Sequence, residues 1–321
     1  MRAVIHVTIV LISLGLAVTG TSAQQFPSRP ITVISPVNAG APQDVIIRAM
    51  AEIMAKDLGQ PVVVENKAGA ALTLGPANMA ATAKPDGYTM SAIFSPLVLL
   101  PQMQKVTYDP FRDFTYIIQV ASFPLGITIK ANSPYKSWSE VVSYAKSKPG
   151  AVTYGSPGTG TNSHLGMELI LQHAGVEMTH VPHQGPMPII TSVLGGHVTL
   201  QVSGMEWKPQ VDDGSMRLLA ILTAKRHPSF PNVPSIMELG YPFDVQVPMG
   251  IAGPKGMDPT IVQRLHDAFK KASEQPSVRA LYQKFDIDYQ YANGEDLQKL
   301  LATIAAQMRP VIERIGLLVK N

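Results

Sequence analysis

Short β-branched runs alternate with amphipathic helical segments along most of the chain, and this alternation constrains the fold more than any other feature. The run ITVIS at 31–35 is followed by apolar residues at helical spacing from Ile46 to Leu58, and then by the run PVVVE at 61–65. A third run ends the stretch ATAKPDGYTMSAIF at 81–94. Because strands that are separated by helices pair in parallel, the sequence predicts an α/β fold on a parallel sheet.

A second unit of the same kind begins near Leu125. The predicted strands are 125–130, 151–155, 198–204, 216–223 and 244–252, and the predicted helices are 137–148, 161–173 and 186–194. The segment 258–321 is predicted to be nearly all helical. Its apolar stripe packs on structure already formed and consists of Leu297, Leu300, Leu301, Ile304, Met308, Val311, Ile312 and Ile315. A chain of 321 residues with 45% hydrophobic residues is expected to form about two domains.

The N-terminus has the pattern of a secretory signal peptide. An apolar stretch from Val7 to Val18 follows a single early arginine and leads to the small residues Thr-Ser-Ala that end at Ala23. A membrane anchor is the weaker alternative, because a spanning helix needs about 20 apolar residues. We therefore predict that residues 1–23 are a cleaved signal peptide and that the mature chain begins at Gln24.

The charge and the cysteine content restrict the partners of the exported chain. The 26 Lys and Arg residues are scattered among 23 acidic residues, and the net charge is +3, so a nucleic-acid partner is not expected. The chain has no cysteine, which excludes a disulfide framework and a lipid-modified cysteine at the cleavage site. The sequence therefore predicts a soluble monomer that is free in the bacterial periplasm.

A loop rich in small residues, YGSPGTGTNSHLGMELI at 154–170, connects a predicted strand to a predicted helix. It lacks the lysine of a P-loop, and Ser163 stands where a dinucleotide motif has its third glycine. Hydroxyl groups, the Asn162 amide and free N–H groups at a helix start suit an anion of about one negative charge, such as a carboxylate. The alternative is a plain N-cap, in which Thr161 or Ser163 only bonds the amides of its own helix.

A second loop, PVNAGAP at 36–42, also follows a strand and opens a helix, with Asp44 as the expected N-cap. Two α/β domains that each present a helix N-terminus at the carboxyl end of their strands can face one another across a cleft. Such a pair of domains can close on one anion and release it without a reaction.

These stretches resemble a known family. The segment FPSRPITVISPVNAGAPQDVIIRAMAEIMAKDLGQPVVVENKAGA at 26–70 is similar to the N-terminal part of the periplasmic receptors of tripartite tricarboxylate transporters, the Bug family. Its loop departs from the family pattern only at Ala41, where a second glycine is usual. Later blocks resemble the same family in order, among them KPDGYTM, KPGAVTYGSPGTGTNSHLGMEL, HVPHQGPMPIITSVLGGHV and GPKGMDPTIVQRL.

The resemblance implies an α/β fold of two domains, the periplasmic-binding-protein or Venus flytrap fold, in which each domain has a mainly parallel sheet flanked by helices. Domain 1 would combine 26–125 with 249–321, and domain 2 would be 126–248. The implied function is that of an extracytoplasmic solute receptor, which binds a small carboxylate (a di- or tricarboxylate or an aromatic carboxylate) and delivers it to integral-membrane transporter subunits. No cofactor or metal is implied.

The two loops and their surroundings supply the candidate site, by the same resemblance. The candidate ligand-binding residues are Val37, Asn38, Ala39, Gln43, Asp44, Ser95, Ser156, Pro157, Thr159, Gly160, Thr161, Asn162, Ser163, His164 and His183. His183 stands where the family often has tyrosine, and it is interpreted either as a group that bonds a second carboxylate or as a wall residue. Thr199, Ser203 and Gly204 occupy a stretch that often carries acids, which argues against a ligand with an ammonium group.

An enzyme that uses the same cleft, a hydrolase or a lyase, is the alternative function. The two Ser-x-x-Lys matches, at Ser133 and Ser143, are short enough to arise by chance, and Pro134 interrupts the first. His180 and His183 lack the glutamate of a zinc motif. His164 and Glu168 lie one helical turn apart, which suggests acid–base work or, more simply, a pair on a helix surface. We therefore predict no catalytic residue and no metal site.

Overall fold

A computed structural model of the chain describes residues 26–245 and 247–319. The predicted signal peptide and its cleavage site lie outside the described residues. Among those residues, no helix combines the length and the apolar character that a membrane crossing requires.

The described strands form two separate sheets. Their bounds are β1 (Ile31–Ser35), β2 (Val62–Asn66), β3 (Thr89–Phe94), β4 (Phe114–Ser122), β5 (Gly126–Lys130), β6 (Thr153–Ser156), β7 (Thr179–Pro182), β8 (Leu200–Ser203), β9 (Met216–Ile221), β10 (Pro248–Pro254) and β11 (Ala292–Asn293). Sheet 1 has the order β11-β4-β10-β3-β1-β2, and sheet 2 has the order β7-β6-β8-β5-β9.

Ten α-helices connect and cover these strands in the described part of the chain. They are α1 (Pro42–Leu58), α2 (Leu74–Thr82), α3 (Pro96–Met103), α4 (Trp138–Ser147), α5 (Asn162–Ala174), α6 (Pro186–Leu194), α7 (Lys208–Asp212), α8 (Pro259–Ser273), α9 (Pro276–Lys284) and α10 (Gly294–Arg314). We call sheet 1 with the helices packed on it lobe 1, and sheet 2 with its helices lobe 2.

Each sheet is mixed, with one reversed strand in its interior, and the edge strand β11 of sheet 1 is also antiparallel to its neighbour β4. Strand β1 pairs in parallel with β2 and β3, as the strand–helix alternation predicts. Strand β10 is antiparallel to both β3 and β4, and β5 is antiparallel to both β8 and β9. The reversed interior strands, β5 and β10, are those that follow the passage of the chain from one sheet to the other. The mixed α/β architecture with helices on both faces of each sheet confirms the predicted fold class.

Helices cover both faces of sheet 1. One apolar cluster joins the sheet to α1 and α8, through residues such as Ile46, Met50 and Phe269. The other joins it to α2, α3 and α10. The predicted C-terminal stripe lies in this second cluster, with Leu297, Leu301, Ile304, Met308, Val311 and Ile312 buried. The stripe therefore packs on the sheet as its periodicity predicted.

Sheet 2 is also covered on two faces. Helices α4 and α5 pack on one face, with Trp138 and Met167 among the buried side chains. Helix α6 and the fully buried Trp207 pack on the other. Leu165 of α5 belongs to the apolar cluster of lobe 1, so α5 also contacts the other lobe.

The chain crosses between the sheets twice, and the two crossings are hydrogen-bonded to one another. The first crossing joins β4 to β5 through 123–125, and the second leads from β9 to β10. The Phe123 amide donates to the Val247 carbonyl at 3.0 Å, and the Leu222 amide donates to the Leu125 carbonyl at 2.8 Å. Paired crossing segments of this kind form a two-stranded connection about which lobes can rotate.

Several elements differ from the prediction, among them β4, β10 and α1. The segment 114–122, in which no strand was predicted, forms β4, the longest strand of the described chain. The strand predicted at 244–252 is β10 and begins only at Pro248. Helix α1 begins at Pro42 with Ala41 as its N-cap, so the prediction that Asp44 is the N-cap was wrong.

Candidate functional site

A cavity of about 740 Å³ lies between the lobes. The residues that line it from lobe 1 include Gln43, Phe94 and Met103, and those from lobe 2 include Asn162 and Glu206. Its walls contain segments that follow the carboxyl ends of β3, β6 and β8 and the first turn of α1. This edge of an α/β sheet is where ligands usually bind.

The loop after β6 forms one wall of the cavity. Gly158 and Gly160 adopt φ values of +144° and +77°, which side chains other than that of glycine rarely adopt, and thereby turn the chain into α5. Thr161 is the N-cap of α5, as one of the predicted alternatives has it, and its hydroxyl accepts a hydrogen bond from the His164 amide. Pro157, Thr159, Gly160, Thr161, Asn162 and Ser163 all line the cavity.

The start of α5 leaves hydrogen-bond donors free at the cavity. The first amides of a helix have no acceptor within the helix itself. The Leu165 amide donates to Thr161, and the His164 amide is capped. No acceptor within the described residues is found for the amides of Asn162 and Ser163, and both residues line the cavity. The positive end of the α5 dipole is therefore open to an anion.

The loop after β1 contributes less to the wall than the sequence suggested. Pro42 and Gln43, in the first turn of α1, line the cavity. The other candidates of this loop, Val37, Asn38, Ala39 and Asp44, are not among the lining residues. Helix α1 thus approaches the cavity with its N-terminal turn, opposite α5, while the loop before it lies outside the wall.

Asp44 is buried, with 1% of its surface exposed, and it organises the loop from behind. Its carboxylate accepts hydrogen bonds from the Gly40 amide at 3.0 Å, from Arg48 Nε at 2.9 Å and from Asn66 Nδ2 at 2.7 Å. Burial favours a higher pKa for Asp44, but the bonds from Arg48, Gly40 and Asn66 outweigh it and lower the pKa. The carboxylate is therefore ionised and has its acceptor positions occupied by the protein.

One polar contact bridges the two lobes at the cavity. The side-chain amide of Asn162, in lobe 2, donates a hydrogen bond to Ser95 Oγ, in lobe 1. Ser95 is fully buried and lies between β3 and α3. The Asn162 side-chain oxygen is buried without a protein partner among the described residues. An unpaired buried oxygen is unfavourable, so the contact with Ser95 satisfies the Asn162 side-chain amide only in part.

Two stacked histidines support the α5 loop from inside lobe 2. The rings of His164 and His180 lie 3.8 Å apart, centroid to centroid. His164 Nδ1 accepts a hydrogen bond from the Gly160 amide at 3.0 Å, and His180 Nε2 lies 2.7 Å from Ser156 Oγ. None of His164, His180 and Ser156 lines the cavity. They hold the loop in shape and do not reach the ligand space.

Glu168 and His164 are not a helix-surface pair, as the simpler sequence interpretation had it, because both are buried. Glu168 Oε1 accepts from Tyr154 Oη at 2.5 Å, and Glu168 Oε2 lies 2.7 Å from Arg314 of α10. Arg314 belongs to lobe 1, so this ion pair joins the lobes on the side of α5 away from its N-terminus. His183 Nδ1 lies 2.9 Å from the Val181 carbonyl, and His183 is also absent from the cavity wall.

Both stacked histidines are neutral at physiological pH. Burial, reinforced by the Arg314 charge, lowers the pKa of His164 to about 4. Burial, His164 and His183 lower the pKa of His180 to about 4, against an opposing effect of Glu168. Because the amide of Gly160 can only donate, protonation of His164 at Nδ1 would break its bond to the loop.

We therefore expect acid to destabilise the protein between about pH 6.5 and pH 4. The unfolded chain takes up protons at the ordinary histidine pKa, whereas the folded chain does so only near 4, so the free energy of unfolding falls as the pH is lowered through this window. The substitution His180→Gln should reduce the slope of the free energy of unfolding against pH by up to about 1.4 kcal/mol per pH unit. Urea unfolding at pH 7, 6 and 5 measures it.

The exposed His197 provides the control for that experiment, since His197→Gln removes a histidine outside the stacked pair. An unchanged slope in His180→Gln, or an equal reduction in His197→Gln, would contradict the role assigned to burial.

Sequence reasoning missed the charged residues that follow β8. Glu206, Lys208 and Asp212 line the cavity, so lobe 2 carries acids just beyond Thr199, Ser203 and Gly204, the stretch on which the argument against an ammonium group was based. Lys208 Nζ is paired with Asp212 Oδ2 at 2.6 Å. The walls of the cavity raise the pKa of Glu206 by desolvation, although its side chain stays exposed within the cavity. The sequence feature that could have identified these charged residues is their position shortly after the carboxyl end of a predicted strand.

The described residues contain no cluster of three or more histidine and acidic side chains that could hold a metal ion. Two lobes joined by paired crossings, with a cavity between facing helix N-termini, define the class of two-lobed solute-binding proteins.

Comparison with known proteins gives the family. The model of the tripartite tricarboxylate transporter family receptors, TctC, matches residues 46–317. The chain therefore belongs to this family of periplasmic solute receptors, which are not enzymes. Among curated relatives, the UPF0065 protein in the gbd 5′ region of Cupriavidus necator is 41% identical over 95% of this chain and 94% of its own length. Protein BugT of Bordetella pertussis is 33% identical over 80% of each chain.

Solved structures agree with this assignment. A TctC solute-binding protein from Polaromonas superposes with a TM-score of 0.80 at 30% identity and covers 90% of this chain and 99% of its own. An R. palustris protein with adipate has a TM-score of 0.74 at 26% identity, with 91% and 98% covered. MatC from Rhodopseudomonas palustris with bound malate has a TM-score of 0.71 at 28% identity, with 89% and 100% covered.

Proposed function

We propose that this receptor binds a small carboxylate in the cavity between the lobes and delivers it to integral-membrane transporter subunits. The observation that carries the proposal is the N-terminus of α5, where Asn162 and Ser163 line the cavity and their amides have no acceptor among the described residues. Backbone donors at the positive end of a helix bind a carboxylate without a basic side chain.

The opposite wall supports the same proposal. Gln43 lies in the first turn of α1 and can donate from its side chain and its amide. Asp44, behind it, cannot attract a carboxylate and acts on the loop. The two related structures that contain adipate and malate bind ligands of this class.

Binding in such a cavity requires that the lobes separate and close. We propose that the moving units are domain 1, 26–125 with 249–321, and domain 2, 126–248. The described strands of sheet 1 lie in domain 1 and those of sheet 2 lie in domain 2. The one exception is Pro248, the first residue of β10, which falls within the bounds of domain 2. Closure brings Asn162 to Ser95 and traps the ligand, and the closed form is the one that a transporter would recognise. We further propose that the receptor acts as a monomer.

A ligand screen tests the carboxylate proposal. The protein is unfolded, dialysed and refolded to remove carried-over ligand, and its melting temperature is then measured with a panel of carboxylates and with the matched primary amides. A ligand at about 100 times its Kd should stabilise the fold by about 2.7 kcal/mol, which is a rise of several degrees. The amides should give no shift. Equal shifts with acids and amides, or no shift with any acid, would contradict the proposal.

A further inference from the structure

The cavity is lined mainly by apolar side chains. The aliphatic, aromatic and thioether groups that lobe 1 contributes to the wall include Leu72, Phe94, Leu100, Met103, Phe123 and Ile287. Lobe 2 adds Met205 and Pro209 on the opposite side. A ligand that consists only of carboxylates and hydroxyl groups would leave this surface in contact with polar groups or trapped water. An apolar ligand body would instead gain from its burial.

The volume of the cavity points in the same direction. Its size of about 740 Å³ lies well within the range of about 300–1,000 Å³ that holds drug-sized ligands. A dicarboxylate of four carbons fills a small part of that space. The free α5 amides occupy one region of the wall only, so most of the remaining volume has apolar lining.

The charged side chains of the wall do not provide a second site for a carboxylate. Among the described lining residues the cations are Lys208 and Lys284, and no arginine is present. Lys208 is paired with Asp212 at 2.6 Å. Lys284 is exposed and lies two residues from Asp286, a third acidic side chain of the wall. The lining acids therefore outnumber the lining cations by three to two.

Glu206 is the acid without a cationic partner among the described contacts. Its carboxylate turns back over Gly204, where a Cβ atom would lie 2.8 Å from Glu206 Oε2. Both residues line the cavity, so this acidic side chain belongs to the lobe 2 wall. A second ligand carboxylate near this side chain would meet a like charge, which is unfavourable where water is largely excluded.

We infer that the ligand is a monocarboxylate with an apolar body of roughly six to ten carbons, its carboxylate at the α5 N-terminus and its body against the lobe 1 wall, and that Glu206 discriminates against dicarboxylates. This inference rests on the proposed function. In this inference the apolar wall selects for the apolar body of the ligand, and Glu206 selects against a second negative charge on it.

A matched pair of ligands tests the inference on the unaltered protein. Octanoate and octanedioate (suberate) have the same chain length and differ in the second carboxylate only. Calorimetry on the refolded, ligand-free protein should give a Kd for octanoate at least about tenfold below that for suberate. Affinity in the series butanoate, hexanoate and octanoate should rise by about fourfold per methylene, as expected for burial of CH₂ groups.

Two variants assign the effect to residues. Glu206→Gln removes the charge and keeps the shape, so it should raise the affinity for suberate by about tenfold and change that for octanoate by less than about threefold. Leu100→Gln places a polar group in the apolar wall and should weaken octanoate by about tenfold. Melting curves of both ligand-free variants confirm that they fold, and the wild-type pair decides the question if either does not.

The outcomes separate this inference from the proposed function. If suberate or citrate binds as tightly as octanoate, or if affinity does not rise with chain length, the inference is overturned while the carboxylate proposal stands. If suberate binds more tightly than octanoate and Lys284→Ala removes this difference in affinity, Lys284 is a second carboxylate site and the inference is again overturned. If no carboxylate of the panel binds, the proposed function itself fails, and the inference fails with it.

Discussion

The substitution Gly160→Val is expected to abolish detectable ligand binding in a protein that still folds. Gly160 has a φ of +77°, where a β-branched residue is strongly strained. A Cβ at this position would also lie 2.8 Å from Met103 Sδ of lobe 1. Met103 is flexible and can turn, so relief of the φ strain is the larger effect. A relaxed loop loses the bond from Gly160 to His164 and turns the amides of Asn162 and Ser163 away from the cavity.

Calorimetry with the best ligand of the screen measures this effect, and we expect an affinity loss of at least about 100-fold. Gly196→Val is the matched control, because Gly196 has a φ of +75°, nothing within 4 Å of its Cβ position and no place in the cavity wall. The control should lose similar stability and keep its affinity. Near-normal binding by Gly160→Val would mean that the loop is only a helix cap and that the anion binds elsewhere.

The parts of the fold that could be predicted from the sequence are those set by local periodicity and capping. Strand β1 and helix α6 have the predicted bounds. The predicted helix 137–148 corresponds to α4 together with its N-cap, Ser137, and its C-cap, Lys148. The Ser137 hydroxyl accepts a hydrogen bond from the Glu140 amide. The C-terminal stripe was predicted from helical spacing alone. In each case the signal and the structure that it determines lie within a few residues of one another.

The reversed strands could not be predicted in this way. Strand β10 is antiparallel because the chain returns from lobe 2 before it enters sheet 1 between β3 and β4. That position depends on the crossing of the whole chain and on no property of the segment 248–254. Strand β4 was missed because it is buried over nearly its full length and shows no alternation of polar and apolar residues.

The candidate site divides along the same line. The loop after β6 was predicted because its glycines, hydroxyl groups and helix start are consecutive in sequence. Glu206 and the apolar wall were not, because they come to the cavity from segments that lie between 34 residues (Phe123) and 124 residues (Ile287) away from that loop. Asp44 was placed in the site by its position after a glycine-containing loop. One of its three donors, Asn66, comes from β2, which only the folded chain brings to Asp44.

Asp44→Ala is expected to be strongly destabilising, and Asp44→Asn only moderately so. Alanine leaves three buried or half-buried donors without an acceptor, on Gly40, Arg48 and Asn66, at a cost of about 2–4 kcal/mol. Asparagine keeps one oxygen for Gly40 and Arg48 and turns its NH₂ group toward the Asn66 donor. Asn66 cannot simply flip, because its side chain also donates to the Val37 carbonyl and accepts from Arg48. The expected cost for asparagine is about 1–2 kcal/mol.

The affinity for the ligand should depend on how well residue 44 keeps the loop ordered and not on its negative charge, because Asp44 does not line the cavity. We expect Asp44→Ala to weaken the best ligand by about tenfold and Asp44→Asn by less than about threefold, since the bond to Gly40 keeps the first turn of α1 in place.

Asp57→Ala is the control. Asp57 pairs with Arg264 and Lys271 at the other end of α1, so its loss should lower stability and leave affinity unchanged. Urea unfolding and calorimetry on the three variants separate the two effects. Equal weakening by alanine and asparagine would instead assign the charge of Asp44 a direct part in binding, and native affinity in both would remove Asp44 from the site altogether.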